Sequence, residues 1–116
     1  MKKNTHTIDA TGRTLGRVAS EAAKALMGKM SPEYTPNVPS DVKVTVTNAS
    51  KIFTRERKKQ QKTYTKYSGF PGGLKKETLA MMNARKPGEA VRRAVQRMLP
   101  RNTMLVARMK NLTITQ

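Results

Sequence analysis

One run of sequence, Lys51 to Lys76 (KIFTRERKKQQKTYTKYSGFPGGLKK), restricts what this chain can fold into more than any other. It carries nine Lys or Arg and a single acid, Glu56. A buried charge is costly unless it is paired, so one acid cannot bring nine bases into a core. The run must lie outside the hydrophobic core and take its counter-charge from salt ions or from a polyanion. No helical stripe of apolar residues runs between Arg55 and Lys66, so residues 51–76 read as an extended basic arm or long loop. Tyr64, Tyr67 and Phe70 stand in its second half, with Ser68, Gly69, Gly72 and Gly73 interleaved.

The rest of the chain has the same bias. With 24 Lys or Arg against 7 acids, the net charge is +17 over 116 residues. Self-repulsion of that size opposes compaction and is relieved on a phosphate backbone, whose counterions are released. An anionic membrane surface would call for an amphipathic helix with bulky apolar residues opposite the lysines. The densest bases here sit in a polar segment, which favours nucleic acid. No apolar run approaches the roughly 20 residues of a membrane helix, and the opening MKKNTHTIDATG has no apolar stretch of the kind a signal peptide needs. The absence of cysteine removes disulfides, thiolate nucleophiles and cysteine metal sites, and suits a reducing cytoplasm. The length is that of one domain, residues 1–116.

In chain order, Thr7 to Ala10 reads as a short strand. Leu15, Val18, Ala19, Ala22 and Leu26 then form the stripe of an amphipathic helix. The Thr14 hydroxyl is placed to cap its start and Gly28 to end it in a left-handed turn. Three prolines between Ser31 and Ser40 exclude helix and central strand, leaving an ordered loop with Tyr34 as its anchor. Val42 to Thr47 alternates strictly and is the clearest strand. Lys51 to Thr54 reads as a further strand. After the basic run, a short helix turns Leu79 and Met82 inward, with Met81 a further inward candidate. Pro87 suits the first turn of a helix that buries Ala90, Val91, Ala94, Val95 and Met98 and stops before Pro100. Asn102 to Met109 reads as a last short helix and Leu112 to Ile114 as a closing strand. This order predicts an α/β fold, a βαβ core with a small parallel sheet. The alternation of Val42 to Thr47 pulls toward a sheet with one wet face, unless its threonine hydroxyls bond locally. The eight methionines read as core filler.

No catalytic constellation emerges. Gly12 to Arg17 sits between strand and helix, but only three residues separate its glycines and no Lys-Ser/Thr follows, so it is not a Walker loop. The dinucleotide pattern GxGxxG is absent. His6 is the sole histidine and has no second ligand at metal spacing. The scattered acids form no acid/base pair, and neither enzyme chemistry, cofactor, metal nor small-molecule substrate is expected. Asn48-Ala49-Ser50 and Asn111-Leu112-Thr113 match the glycosylation pattern by chance.

The bases are the candidates for binding. Lys51, Arg55, Arg57, Lys58, Lys59, Lys62, Lys66, Lys75 and Lys76 lie in the basic run. Arg13, Arg17 and Lys29 flank the first helix, and Arg85, Arg92, Arg93, Arg97 and Arg101 follow the run, with Arg92, Arg93 and Arg97 on the non-core side of their helix. Tyr64, Tyr67 and Phe70 either stack on unpaired bases or pack the root of the arm against the domain. Ser68, Gly69, Gly72 and Gly73 either admit phosphates to backbone N–H groups or serve turn geometry. No helix-turn-helix or zinc finger is visible, and an irregular RNA surface suits such an arm better than a duplex groove.

Several segments together resemble a known family. Ile8-Asp-Ala-Thr-Gly-Arg-Thr-Leu-Gly-Arg-Val-Ala-Ser20 is similar to the opening of universal large-subunit ribosomal protein thirteen, bacterial branch. So are Tyr34-Thr-Pro36, Val46-Thr-Asn-Ala49 with Lys51-Ile52, Ser68-Gly69 with Gly72-Gly73-Leu74, and Ala84-Arg85-Lys86-Pro87. Ala94-Val95 with Met98-Leu99-Pro100, and Ala107-Arg108, complete the match in the family's order. The chain departs from the pattern at Thr5-His6-Thr7, where an aromatic pair is usual, and at Lys66-Tyr67, where histidines are common. The family also usually continues beyond the position of Gln116. The resemblance implies a three-layer α/β/α fold around a mostly parallel four-stranded sheet. It implies a non-catalytic cytoplasmic constituent of the large ribosomal subunit that binds ribosomal RNA beside neighbouring ribosomal proteins and joins assembly early. A free nucleic-acid chaperone or nucleoid-type protein is the alternative that charge alone would allow.

Overall fold

The computed structural model describes residues 5–39 and 41–116. The opening residues 1–4, and Ser40 at the end of the proline-rich loop, lie outside them. The elements are β1 (Thr5–Asp9), α1 (Leu15–Met27), β2 (Lys43–Thr47), a 3-10 turn (Ala49–Lys51), α2 (Glu56–Gln61), β3 (Thr63–Tyr67), β4 (Leu74–Thr78), α3 (Leu79–Arg85), α4 (Glu89–Met98), α5 (Leu105–Lys110) and β5 (Leu112–Ile114). The fold is α/β. Its main sheet is parallel, in the order β1-β2-β5, with Ile8 opposite Val46 and Val46 opposite Ile114.

The alternation in β2 sorts its side chains by face. Val44 and Val46 are buried together with Ile8 and Leu112, while Thr5, Thr7, Lys43 and Thr113 are exposed. Helical cover is thus met on one face, and the wet face implied by the alternation is the other. Thr47 is half-buried and donates its hydroxyl to the Ile8 carbonyl at 3.3 Å, the local bonding that threonine at such a position needs. Over the inner face, α1 packs against α4. Val18, Ala19, Ala22 and Leu26 from α1 join Val91 and Val95 from α4, then Leu99 and Met109, in one core. Alanine on the α1 stripe lets the two helix backbones come close, and each fully buried valine contributes about 1.5–3 kcal/mol.

The fourth strand is replaced by something smaller. Lys51 to Thr54 does not pair as a strand; the 3-10 turn takes in Lys51, and a single parallel bridge joins Phe53 to Thr14. The cause lies at Asn48, which adopts a left-handed conformation (φ 58°) and turns the chain off the line of β2. The Asp9 carboxylate fixes that turn by accepting the Asn48 amide at 3.1 Å and the Thr11 N–H and hydroxyl at 3.0 and 2.8 Å.

Other boundaries also differ from the expectation. Thr14 occupies the cap position of α1 but makes no side-chain cap bond, whereas Gly28 closes the helix as expected, at φ 83°. Pro87 stands before α4, which is entered through Gly88. Met98 is exposed, as are Met30 and Met81, so among the described residues methionine is buried only at Met82 and Met109, with Met27 packed against the core's edge.

Gly88 brings the start of α4 close against β5. Its φ is 93°, and a Cβ added there would stand 2.6 Å from Cγ2 of Ile114 on the edge strand β5. Gly88→Ala should therefore lower stability by about 2 kcal/mol, through left-handed strain and overpacking together. Urea unfolding is the measurement, with a reduced midpoint at unchanged slope as the expected result.

Candidate nucleic-acid interface

The basic run is not an extended arm. After the turn and bridge at its start, Glu56–Gln61 forms α2, and Thr63–Tyr67 and Leu74–Thr78 form an antiparallel hairpin of β3 and β4 with Tyr64 opposite Glu77 and Tyr67 opposite Leu74. The residues ERKKQQ are good helix formers with no apolar stripe, so propensity supports the helix where periodicity is silent. Glu56 lies in its first turn, favourable to the helix dipole, and pairs with Lys59 at 3.4 Å.

Tyr64 is the hairpin's anchor. It is 9% exposed and packs with Leu79, Met82 and Ala90 in a second apolar cluster, against which Leu15 rests. Lys62 Nζ lies 5.5 Å and the Arg93 guanidinium 5.4 Å from its ring centroid, a cation–π arrangement from the end of α2 and from α4. Tyr64 is thereby withdrawn from base stacking. Tyr67 and Phe70 do the opposite of packing at the root: they are exposed at the far end.

Anchoring the hairpin brings distant bases together. Lys66 on β3 faces Arg93 and Arg97 on α4 and Arg101 beyond it across a groove of about 630 Å³. Thr65, Gln96, Asn102 and Leu105 complete the lining, and no acid takes part. A second groove of about 500 Å³ shares Lys66 and Arg93 and adds Lys75, Lys76 and Arg85, but also Glu77 and Glu89. The first groove is the more strongly anion-seeking of the two. Its spacing was readable in part, since Arg93 and Arg97 stand four apart on α4, whereas Arg101 lies past Pro100 and outside the helix. Gln96, Asn102 and Lys66 join them only through tertiary packing.

Not every candidate is free to bind. Arg85 holds Glu77 through two bonds of 3.0 Å, which keeps that carboxyl below its ordinary pKa and raises the guanidinium further. Arg93 is half-buried rather than on the far side of α4, paired to Glu89 at 3.5 Å. Arg13 pairs with Glu21 at 2.7 Å, and His6 reaches the same carboxylate at 3.2 Å. The Arg13 bond, followed by that of His6, depresses the Glu21 pKa. Lys59 turns toward a separate cavity beside Leu79 and Pro87. Arg17, Lys51, Arg55, Arg57, Lys58, Lys62, Lys75, Lys76 and Arg92 are exposed, as is Lys29, whose Nζ lies 6.0 Å from the Tyr34 ring centroid. None of Arg13, Arg17, Lys29, Lys51 or Arg92 lines either groove. In the hairpin turn, Gly69 and Gly72 have φ of 88° and 75°, and a Cβ at Gly73 would collide with the Ser68 hydroxyl. Turn geometry accounts for these glycines, with open space around the first two.

One base escaped the sequence reading. Arg108 on α5 is 3% exposed, with Nε and Nη1 unpartnered among the described residues. A buried, unpaired guanidinium costs stability. Nothing in its local sequence distinguishes it from the exposed arginines.

A family model described as Ribosomal protein L13 matches residues 3–115. The chain is 41% identical over 114 residues to the large ribosomal subunit protein uL13 of Cupriavidus metallidurans, covering 98% of this chain and 80% of that one. It is 49% identical over 107 residues to the protein of the same name from Aquifex aeolicus, covering 92% and 74%. Over 104 residues it is 45% identical to that of Gloeothece citriformis, covering 90% and 69%.

The Asp9 clamp, which directs the chain toward Arg13 and the 3-10 turn, gives a pH signature. The Asn48 amide, then the Thr11 N–H and hydroxyl, lower its pKa from 3.8 to about 2. A carboxyl depressed in the folded state stabilises at pH above its unfolded value, and that stabilisation is lost as pH falls through the folded one. The melting temperature should therefore drop as pH falls from about 4 toward 2. Asp9→Asn should remove part of that drop, the remainder belonging to Glu21 and Glu77. An unaltered pH profile in the variant would contradict the clamp.

Proposed function

The chain belongs to the ribosomal protein L13 family, and on that premise we propose that it is a structural constituent of the large ribosomal subunit. It binds large-subunit ribosomal RNA, sits beside neighbouring large-subunit proteins, supports early subunit assembly and carries out no catalysis. As a ribosomal constituent it works in the cytoplasm, with residues 1–116 acting as one RNA-binding domain. The observation that carries the RNA contact is the acid-free groove of Lys66, Arg93, Arg97 and Arg101. A phosphate backbone laid there meets cations from hairpin and helix at once, and the neutral Gln96 and Asn102 amides offer donors and acceptors to sugar or base edges. Lys58, Lys62, Lys75 and Lys76 extend the positive surface along α2 and the hairpin.

Ion pairing and position divide the candidates into four groups. Arg97, Arg101, Lys58, Lys62 and Lys66 engage phosphate directly. Arg13, Lys59, Arg85 and Arg93 chiefly hold elements in place. Gly69, Gly72, Gly73 and Ser68 shape the turn, and Arg17, Lys29, Lys51, Arg55, Arg57 and Arg92 add long-range attraction that salt screens.

Sedimentation of a lysate at moderate salt tests the assignment: the tagged chain should travel with large subunits, and recovery in light fractions alone would refute it. A finer test uses a large-subunit RNA fragment. Arg97→Gln with Arg101→Gln should weaken binding and reduce the slope of log affinity against log salt by about 1.5, because two phosphates are no longer neutralised. Arg17→Gln with Arg92→Gln should change that slope much less. The reverse ranking would move the interface off the groove.

A further inference from the structure

The tip of the hairpin presents rings to solvent. Tyr67, Phe70 and Leu74 are 64%, 73% and 54% exposed. Tyr67 and Leu74 are direct register partners, so their side chains leave the same face of the ribbon, and Phe70 stands in the turn that joins the strands. Large apolar groups left in water forgo the stabilisation of burial. A chain with five aromatics places two of them here, while the third hairpin ring, Tyr64, is buried. The surface around the tip is cationic: Lys66, Lys75 and Lys76 are exposed, and no Asp or Glu occurs from Arg57 to Lys76.

We infer that the hairpin tip is a stacking wedge, with Tyr67 and Phe70 placed to lie against unpaired bases of RNA while the flanking lysines meet the phosphates on either side. This rests on the RNA-binding function proposed above. Unpaired RNA supplies both complements that the tip asks for, flat π faces and anions, whereas paired bases hide their faces in the stack. The charge complementarity selects RNA over an apolar protein surface, against which three lysines would have to be desolvated. The tip is also preformed. The Gly73 N–H donates to the Phe70 carbonyl at 2.9 Å and the Ser68 N–H to the Gly73 carbonyl at 3.3 Å, while Tyr64 holds the hairpin's base in the fold. Little conformational freedom remains to be lost on binding.

The test uses the full chain and a large-subunit RNA fragment that carries an unpaired loop with 2-aminopurine, beside a fully paired duplex of equal length. The wild-type chain should bind the looped RNA and quench the probe. No binding to either RNA would sink the RNA function itself, and this inference with it. Phe70→Ala and Tyr67→Ala should each weaken looped-RNA binding about tenfold and reduce quenching, with duplex affinity unchanged. The salt slope should stay at the wild-type value, because every phosphate keeps its cation. Phe70→Leu separates stacking from apolar contact: it should lose as much as Phe70→Ala, and Phe70→Trp should bind at least as tightly as wild type. Exposure of Phe70 at the tip keeps these changes away from the core, and an unchanged melting temperature verifies that. Wild-type affinity and quenching in Phe70→Leu, or equal losses on loop and duplex, would overturn the wedge. So would variants that bind RNA normally yet fail to enter large subunits, which would assign the tip to a neighbouring protein.

Discussion

Like-charge repulsion is the constraint from which the rest of this structure follows. A net charge of +17 on 116 residues is held apart by a small apolar centre, with the bases other than Arg108 kept toward its rim. The α1–α4 contact is that centre. It is built from alanines and valines, which bury area without demanding space, on top of the inner faces of β1, β2 and β5. Arg108 is the one buried charge among the described residues.

The few acids stand where the fold needs them. Asp9 fixes the turn at Asn48, Glu21 joins β1 and α1 to the loop through His6 and Arg13, Glu77 ties β4 to α3 through Arg85, and Glu89 steadies α4 through Arg93. Each exposed pair is worth little by itself. Together they withdraw particular arginines from the anion-binding surface and leave others unopposed. The pattern of opposed and unopposed bases, rather than the charge total, marks the groove between hairpin and helix.

Tyr64 couples the two requirements. It is the residue by which a segment too basic to be buried is nevertheless held rigidly to the core, through Leu79, Met82 and Ala90. Holding the hairpin there sets Lys66 across from Arg97 and Arg101, and directs Tyr67 and Phe70 outward. A free arm would have to lose its conformational entropy on binding; this hairpin has largely lost it on folding.

Much of this was legible in the chain itself. The alternation of Val42 to Thr47, the stripe from Leu15 to Leu26 and the positions Ala90, Val91 and Val95 determined β2, α1 and α4, because hydrophobic periodicity is a local signal. Family membership was legible from motifs in order, and the anionic partner from charge. What only the tertiary structure decided is long-range. Glu56 to Gln61 carries no apolar period, so its helix is invisible to pattern. The hairpin depends on pairing Thr63–Tyr67 with Leu74–Thr78 and on burying Tyr64 under a helix that follows it in the chain. The missing fourth strand turns on a bond between Asp9 and Asn48, 39 residues apart. Which arginines are free depends on where Glu77 and Glu89 come to lie. Composition determines that bases must face outward; only packing determines which of them face the same groove.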